Sequence, residues 1–244
     1  MAKGGDPVDC LKSVKEELAR LADPEKALHS QRFFQAFPGG YGEGDRFLGI
    51  AVPLQRKVAG RYYREITLDE LEALLRDPFH ECRLTALYMM RLRFERARTA
   101  AEKEAIVELF LRNLDCINNW DLVDSSAPYI LGPYLAESKS DLLCKLASSG
   151  ELWKQRIAMM ATFYFIRQGR YRETLCLAEK YLDHPHDLIH KATGWMLREI
   201  GNRDQDAEIA FLKKHYRQMP RTMLRYAIEK FDPPLREQFL KGLA

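Results

Sequence analysis

Apolar residues recur three and four positions apart along nearly the whole chain, the spacing that lines one face of an α-helix. In DPVDCLKSVKEELARLA, Cys10, Leu11, Val14, Leu18 and Leu21 keep that spacing, and Asp6-Pro7 offers a cap and a first-turn proline. Further helices are predicted at about 24–35, 53–65, 68–76, 79–97, 100–116, 119–136 and 139–148. Six more follow at about 151–168, 171–182, 186–201, 204–217, 220–231 and 233–242. Breakers separate them: Asp77-Pro78, Ser148-Ser149-Gly150, Gly169, His184-Pro185, Gly201-Asn202, Pro220 and Asp232-Pro233-Pro234. No run alternates β-branched and polar residues between turns, so the predicted fold class is all-α.

The predicted helices are short and joined by short turns, so a pair with its turns takes about 30–40 residues. That is the size of a helical-hairpin repeat. The units share an apolar pattern but not identical residues, which suits HEAT-like repeats. FIRQGRYRETLCLAEKYL (165–182) looks like a TPR pair but does not recur at a fixed interval. The expectation is one domain over 1–244, shaped as a curved solenoid of HEAT-like antiparallel hairpins, with a compact irregular bundle as the alternative. Its parts would be N-terminal helices (1–37), a glycine-rich connector (38–53) and a repeat body (54–244). The connector, PGGYGEGDRFLGIAVP, reads as a flexible turn in its first half. It lacks the flanking strand and the GK[ST] of a phosphate-binding glycine loop.

Composition changes this picture little: 46% hydrophobic and 30% charged residues are ordinary for a globular chain. No run is long and apolar enough to span a membrane, and MAKGGDPVDC has no apolar signal core, so a cytoplasmic protein is expected. Cys10, Cys82, Cys116, Cys144 and Cys176 are scattered without a CxxC and are expected to be free, buried thiols. Net charge is +3, but residues 151–244 hold 17 Lys/Arg against 12 Asp/Glu, while 1–150 hold 21 against 23. A C-terminal basic surplus suits an anionic partner only weakly, and solvated helix faces are the simpler account of it.

Candidate chemistry is sparse. His184, His186 and His190 lie near Asp183 and Asp187, but DHPHD also reads as a capping turn, and no HExxH or second cluster completes a metal shell. No GxSxG and no cysteine–histidine spacing suggests a nucleophile. NNWDLVD (118–124) is more informative. Asn118 or Asn119 can cap a helix, and Trp120, Asp124, Ala127 and Leu131 then share one face, with Asp124 interrupting its apolar character. By itself that pair reads as an ordinary helix start with a solvated carboxylate. LWKQRIAMMATFYFIRQG (152–169) is an apolar helix with one early arginine, Arg156, whose guanidinium needs an anion. HKATGWMLREIG (190–201) puts Lys191 and Trp195 on one face with Arg198 a turn beyond. Indoles hold a sugar or base, cations hold phosphates, and a carboxylate stabilises developing positive charge.

NNWDLVD, LWKQRIAMM and HKATGWMLREIG, in this order, resemble the AlkD family of DNA glycosylases, HEAT-like-repeat proteins of DNA alkylation repair. FLGIAVPLQRKVA (47–59) resembles the family's lead into its repeat body, and the likeness runs over roughly 30–230. The resemblance implies a solenoid that cradles duplex DNA on a basic concave face and excises N3- and N7-alkylated purines without flipping them into a pocket. It implies that Asp124 is the catalytic aspartate, that Trp120 and Trp195 face the sugar, and that Arg156 contacts a phosphate; Lys191 and Arg198, read from the Trp195 face itself, are expected as further DNA-binding cations. It further implies a monomer that acts as a monofunctional glycosylase on double-stranded DNA, with no metal, no cofactor and no Schiff-base lyase step. One departure is the glycine-rich PGGYGEGDR (38–46), which fits a sister subfamily. Some relatives keep the fold but bind DNA structures without catalysis, and this is the alternative reading.

Overall fold

The computed structural model describes residues 9–138 and 140–244, and every regular element among them is helical. The first helices are α1 (Cys10–Arg20), α2 (Pro24–Phe33), α3 (Val52–Tyr62), α4 (Leu68–Leu75), α5 (His80–Arg96) and α6 (Ala100–Arg112). Then come α7 (Trp120–Ser126), α8 (Leu131–Glu137), α9 (Leu142–Ala147), α10 (Leu152–Arg167) and α11 (Arg172–Lys180). The last are α12 (Asp187–Gly201), α13 (Gln205–His215), α14 (Arg221–Ala227) and α15 (Pro233–Lys241). The only pairing of extended backbone among the described residues is one isolated bridge between Arg46 and Phe79. The all-α prediction therefore holds.

Differences from the predicted helices have local causes. Asp6-Pro7 and Lys139 lie outside the described residues; α1 is capped by Asp9, whose Oδ1 accepts from the Lys12 N–H at 2.9 Å. The helix predicted over 119–136 is two helices, α7 and α8, because Pro128 falls between them. Proline has no N–H to donate, and its ring clashes with the carbonyl four residues back. Leu131 therefore belongs to another helix, and the four-residue face predicted from Trp120 to Leu131 ends with α7. The run predicted over 100–116 stops at Arg112 and resumes as a 3₁₀ turn at Leu114–Cys116. Cys144 and Cys176 are exposed, contrary to expectation, because they occupy the outer faces of α9 and α11; Cys10 and Cys82 are buried.

The fold divides into two units between Ser126 and Ala127. In the first, α5 is the central element and packs against α3, α4, α6 and α7. Twelve of its seventeen residues are buried, so it is a core helix rather than an amphipathic surface one. In the second unit α10 packs on α8, α9, α11 and α12, and α12 packs in turn on α11, α13 and α14. Each unit thus combines contacts between consecutive helices, such as α4 with α5 and α9 with α10, with contacts between alternate ones, such as α3 with α5 and α12 with α14. Two glycines set the closest approaches. A Cβ on Gly132 would collide with the Ala161 carbonyl of α10, and one on Gly194 with the Met223 carbonyl of α14.

The second unit also buries an acid. Glu208 on α13 is almost inaccessible, its Oε1 has no hydrogen-bond partner, and its Oε2 lies where a Cβ on Gly201 would be. Burial pushes its carboxyl up to about 8, opposed only by the Arg198 charge. A folded-state value above the unfolded one means that this group's stabilising proton is lost as pH rises from about 4.5 towards 8. Glu208→Gln is expected to raise stability by about 1–3 kcal/mol at pH 8, with little change at pH 5. Urea unfolding at the two pH values measures this; an equal effect at both would show that Glu208 folds ionised.

Candidate functional site

The first candidate lies on α7 and is built by its own first residues. Asn119 precedes the helix; its Oδ1 accepts from the Trp120 N–H at 2.9 Å and its carbonyl from the Val123 N–H at 3.1 Å. Asp121 sits in the first turn, where a carboxylate favours the helix dipole. One of its oxygens accepts from the Leu122 N–H at 2.8 Å, and the other lies 2.8 Å from His80 Nε2.

His80 ties this turn to the glycine-rich connector. Its Nδ1 is 3.0 Å from Asp45 Oδ2, and its ring packs against both Phe34 (centroids 4.8 Å apart) and Phe47 (5.0 Å), which also stack on each other at 5.4 Å. Both ring nitrogens face carboxylates, so the imidazolium donates to each. Burial alone would lower the His80 pKa; the Asp121 charge and the hydrogen bonds to Asp121 and Asp45 outweigh it and lift the pKa to about 9. Asp45 also accepts from Arg83 Nη2 at 2.7 Å, and Arg83 donates to Asn118 Oδ1 at 3.2 Å. Burial raises the Asp45 pKa, but the His80 hydrogen bond and the Arg83 charge hold it below the usual carboxylate range. Two acids and two cations thus close a neutral buried cluster around NNWD.

From Asp45 onward the connector is packed against the first unit, while Pro38, Gly39, Glu43 and Gly44 of its first half are exposed. Glu81 accepts from the backbone N–H groups of Leu48 and Gly49 at 2.8 Å and of Ile50 at 3.3 Å. Gly42 passes so close to α7 that a Cβ there would collide with the Phe34 carbonyl and lie 3.0 Å from Asn119 Nδ2. Gly49 has φ +78° and no room for a Cβ against the Asp23 carbonyl.

Trp120 and Asp124 lie one turn apart on this anchored helix, and both are half-buried. The indole stacks on Phe34 (5.4 Å, 28°) and meets the edge of Phe33 (5.8 Å, 72°). Phe33 is itself 56% exposed, so the aromatic surface continues beyond Trp120.

The second unit carries the other predicted residues. Lys191, Trp195 and Arg198 follow one another along α12, all half-buried. Trp195 Nε1 donates to Glu199 at 3.2 Å, Lys191 pairs with Asp187 at 2.8 Å, and Arg198 pairs with Glu229. Arg156 on α10 is 4% exposed and donates to the Leu188 carbonyl at the start of α12. Gly194, next to Trp195, is explained by the α12–α14 approach.

DHPHD works as the capping turn. His186 is the N-cap of α12 and its Nδ1 accepts from the Leu188 N–H at 3.1 Å, while His184 Nε2 contacts Gln155 at 2.9 Å. No group of three His, Cys, Asp or Glu suited to a metal occurs among the described residues. No helix among them is long and apolar enough to cross a membrane.

Sequence reasoning missed Asp45, His80 and Arg83. The available signal was the polar HECR start of α5, a helix otherwise apolar through Met90.

A family model described as DNA alkylation repair enzyme matches residues 14–231. No curated protein matches the sequence. Among solved structures, one described as "Predicted DNA alkylation repair enzyme from Enterococcus faecalis" is similar, with a TM-score of 0.67 and 16% identity. The match covers 87% of this chain and 97% of that one, a likeness of fold.

Proposed function

The chain belongs to the family of DNA alkylation repair enzymes, and we propose that it is a monofunctional glycosylase hydrolysing the N-glycosidic bond of N3- and N7-alkylated purines in duplex DNA. The observation that carries this reading is Asp124 beside Trp120 on a helix fixed by the Asp45–His80–Asp121 cluster.

An alkylated purine carries a positive charge, and it leaves as a neutral base while the sugar becomes oxocarbenium-like. That charge needs a fixed anion, which Asp124 supplies, and a π face, which Trp120 supplies from the same helix; the family resemblance gives Trp195 the same role. Asp124 also orients the water that attacks C1′. The leaving base neutralises its own charge, so no metal or cofactor is required, and no lysine forms a Schiff base. Arg156, Lys191 and Arg198 hold phosphates of the lesion strand, so the nucleotide is positioned by its backbone rather than flipped.

Duplex DNA carrying 7-methylguanine or 3-methyladenine tests this directly. Free base is expected to accumulate faster than in protein-free duplex, without strand cleavage. Release at the uncatalysed rate would reject the enzymatic reading. Salt-sensitive DNA binding without release would instead support a non-catalytic DNA-structure binder. That second reading is favoured by the partners Trp120, Lys191 and Arg198 already have within the protein.

A further inference from the structure

The first unit holds a cluster of arginines that none of the preceding roles uses. Arg64, Arg93, Arg96 and Arg98 line one cleft of about 780 Å³. A second cleft of about 510 Å³ is lined by Arg56, Arg61, Arg64 and Arg96 together with one acid, Glu65, and the two share Tyr63. Arg61 is neutralised by Glu17, whose two oxygens accept from it at 2.7 Å. Arg56, Arg64, Arg93, Arg96 and Arg98 have no carboxylate within 4.0 Å among the described residues.

Protein groups hold these side chains in place without neutralising them. Arg64 Nε donates to Tyr63 Oη at 2.7 Å, and the Arg64 and Arg96 guanidiniums lie 5.4 and 5.0 Å from the Tyr63 ring centre. Arg93 donates to the Ile66 carbonyl at 2.9 Å. Glu102, which also lines the first cleft, is committed to the Arg98 backbone N–H at 2.6 Å. Arg93 and Arg96 complement the C-terminal dipole of α5, an ordinary structural use. That use does not extend to Arg56 on α3, Arg64 beyond its end, or Arg98 before α6. Guanidiniums gathered from separate elements repel one another unless an anion joins them, and a planar donor fork held by an aromatic ring is prepared for phosphate oxygens.

The groove also has a direction. The Arg56 guanidinium lies 5.0 Å from the Tyr88 ring centre, and Tyr88 Oη is 3.5 Å from Ser125 Oγ, on the residue after Asp124. The arginine track therefore starts beside α7 and runs past Tyr63 to Arg98. We propose that this track binds the phosphodiester backbone of DNA leading away from the nucleotide held at Asp124. The proposal rests on the glycosylase reading for its starting point, but its test does not depend on excision.

The test is affinity for an undamaged duplex across a salt series, by fluorescence anisotropy, for the full chain and for Arg64→Ala/Arg96→Ala. Each lost phosphate contact lowers the slope of log K against log salt by about 0.9, so the double variant is expected to lose about 1.8 of slope. Its affinity at low salt is expected to fall about 10- to 100-fold. Arg64→Lys/Arg96→Lys keeps the charge and is expected to retain most of the slope. Both arginines are exposed, so unchanged thermal melting is expected and serves as the folding control. A slope and affinity equal to the parent's would overturn the proposal and leave the cleft to an acidic protein segment. Loss of slope in the double variant, with no base release by the parent, would sustain the track while rejecting the glycosylase reading. Intact release with an unchanged slope would do the reverse.

Discussion

Asp124→Asn is expected to slow release of 7-methylguanine about 10²- to 10³-fold while changing duplex affinity by less than about threefold. The expectation follows from the timing of charge. In the ground state the positive charge is on the base; in the transition state it moves to the sugar, where Asp124 is proposed to lie. A carboxylate there interacts more strongly with the transition state than with the bound substrate, and only that difference accelerates the reaction. Asparagine keeps the shape and loses the charge, so binding, which depends on backbone contacts, is spared. Single-turnover release with protein in excess reads the chemical step, and anisotropy on the same duplex reads affinity. Parallel losses of both would mean that Asp124 is structural.

The second large effect is on stability. His80→Ala is expected to cost about 3–5 kcal/mol, because it removes the cation paired with the partly buried Asp121 and leaves the buried Asp45 with Arg83 alone. The intact cluster carries a pH dependence of definite sign. The His80 pKa lies above its ordinary 6.5, at about 9 when folded. Its contribution is therefore complete below pH 6.5 and is lost as pH rises through 9, with a slope of up to ~1.4 kcal/mol per pH unit. Glu208 has the same sign over a lower window, so urea unfolding from pH 6 to 9.5 belongs in the Glu208→Gln background. A flat profile there would show that His80 folds neutral.

Helix existence was largely legible because burial imposes the three-four spacing on each element separately. Breaks were less so: Pro128 lies inside a run whose apolar residues keep helical spacing on both sides, and periodicity passes over it. The pairing of Trp120 with Asp124 needed only one helical turn and was visible. The partners of Asp45, His80 and Arg83 were not, since they lie 35 to 74 positions apart and no local rule joins them. Charge sums misled in a related way. The N-terminal part of the chain is slightly acidic in total, yet it holds the unpaired arginines, because a sum does not report which acids stand beside which bases.

The Asp45–His80–Asp121 cluster has a further consequence, for the order in which the chain acquires structure. Its members come from the connector, the start of α5 and the start of α7, so none of them is satisfied by a local hairpin. Asp45 meets Asn118 across 73 positions, and closing such a loop costs entropy before any contact rewards it. A chain emerging from its N-terminus exposes Asp45, His80 and Arg83 well before Asn118 and Asp121 arrive. Until then the connector has charged groups and no complete shell to receive them. The helix bearing Trp120 and Asp124 is thus oriented late, by the same step that seals the N-terminal segment. A fragment cut short before residue 118 lacks Asn118 and Asp121, and limited proteolysis is expected to open it faster than the full chain.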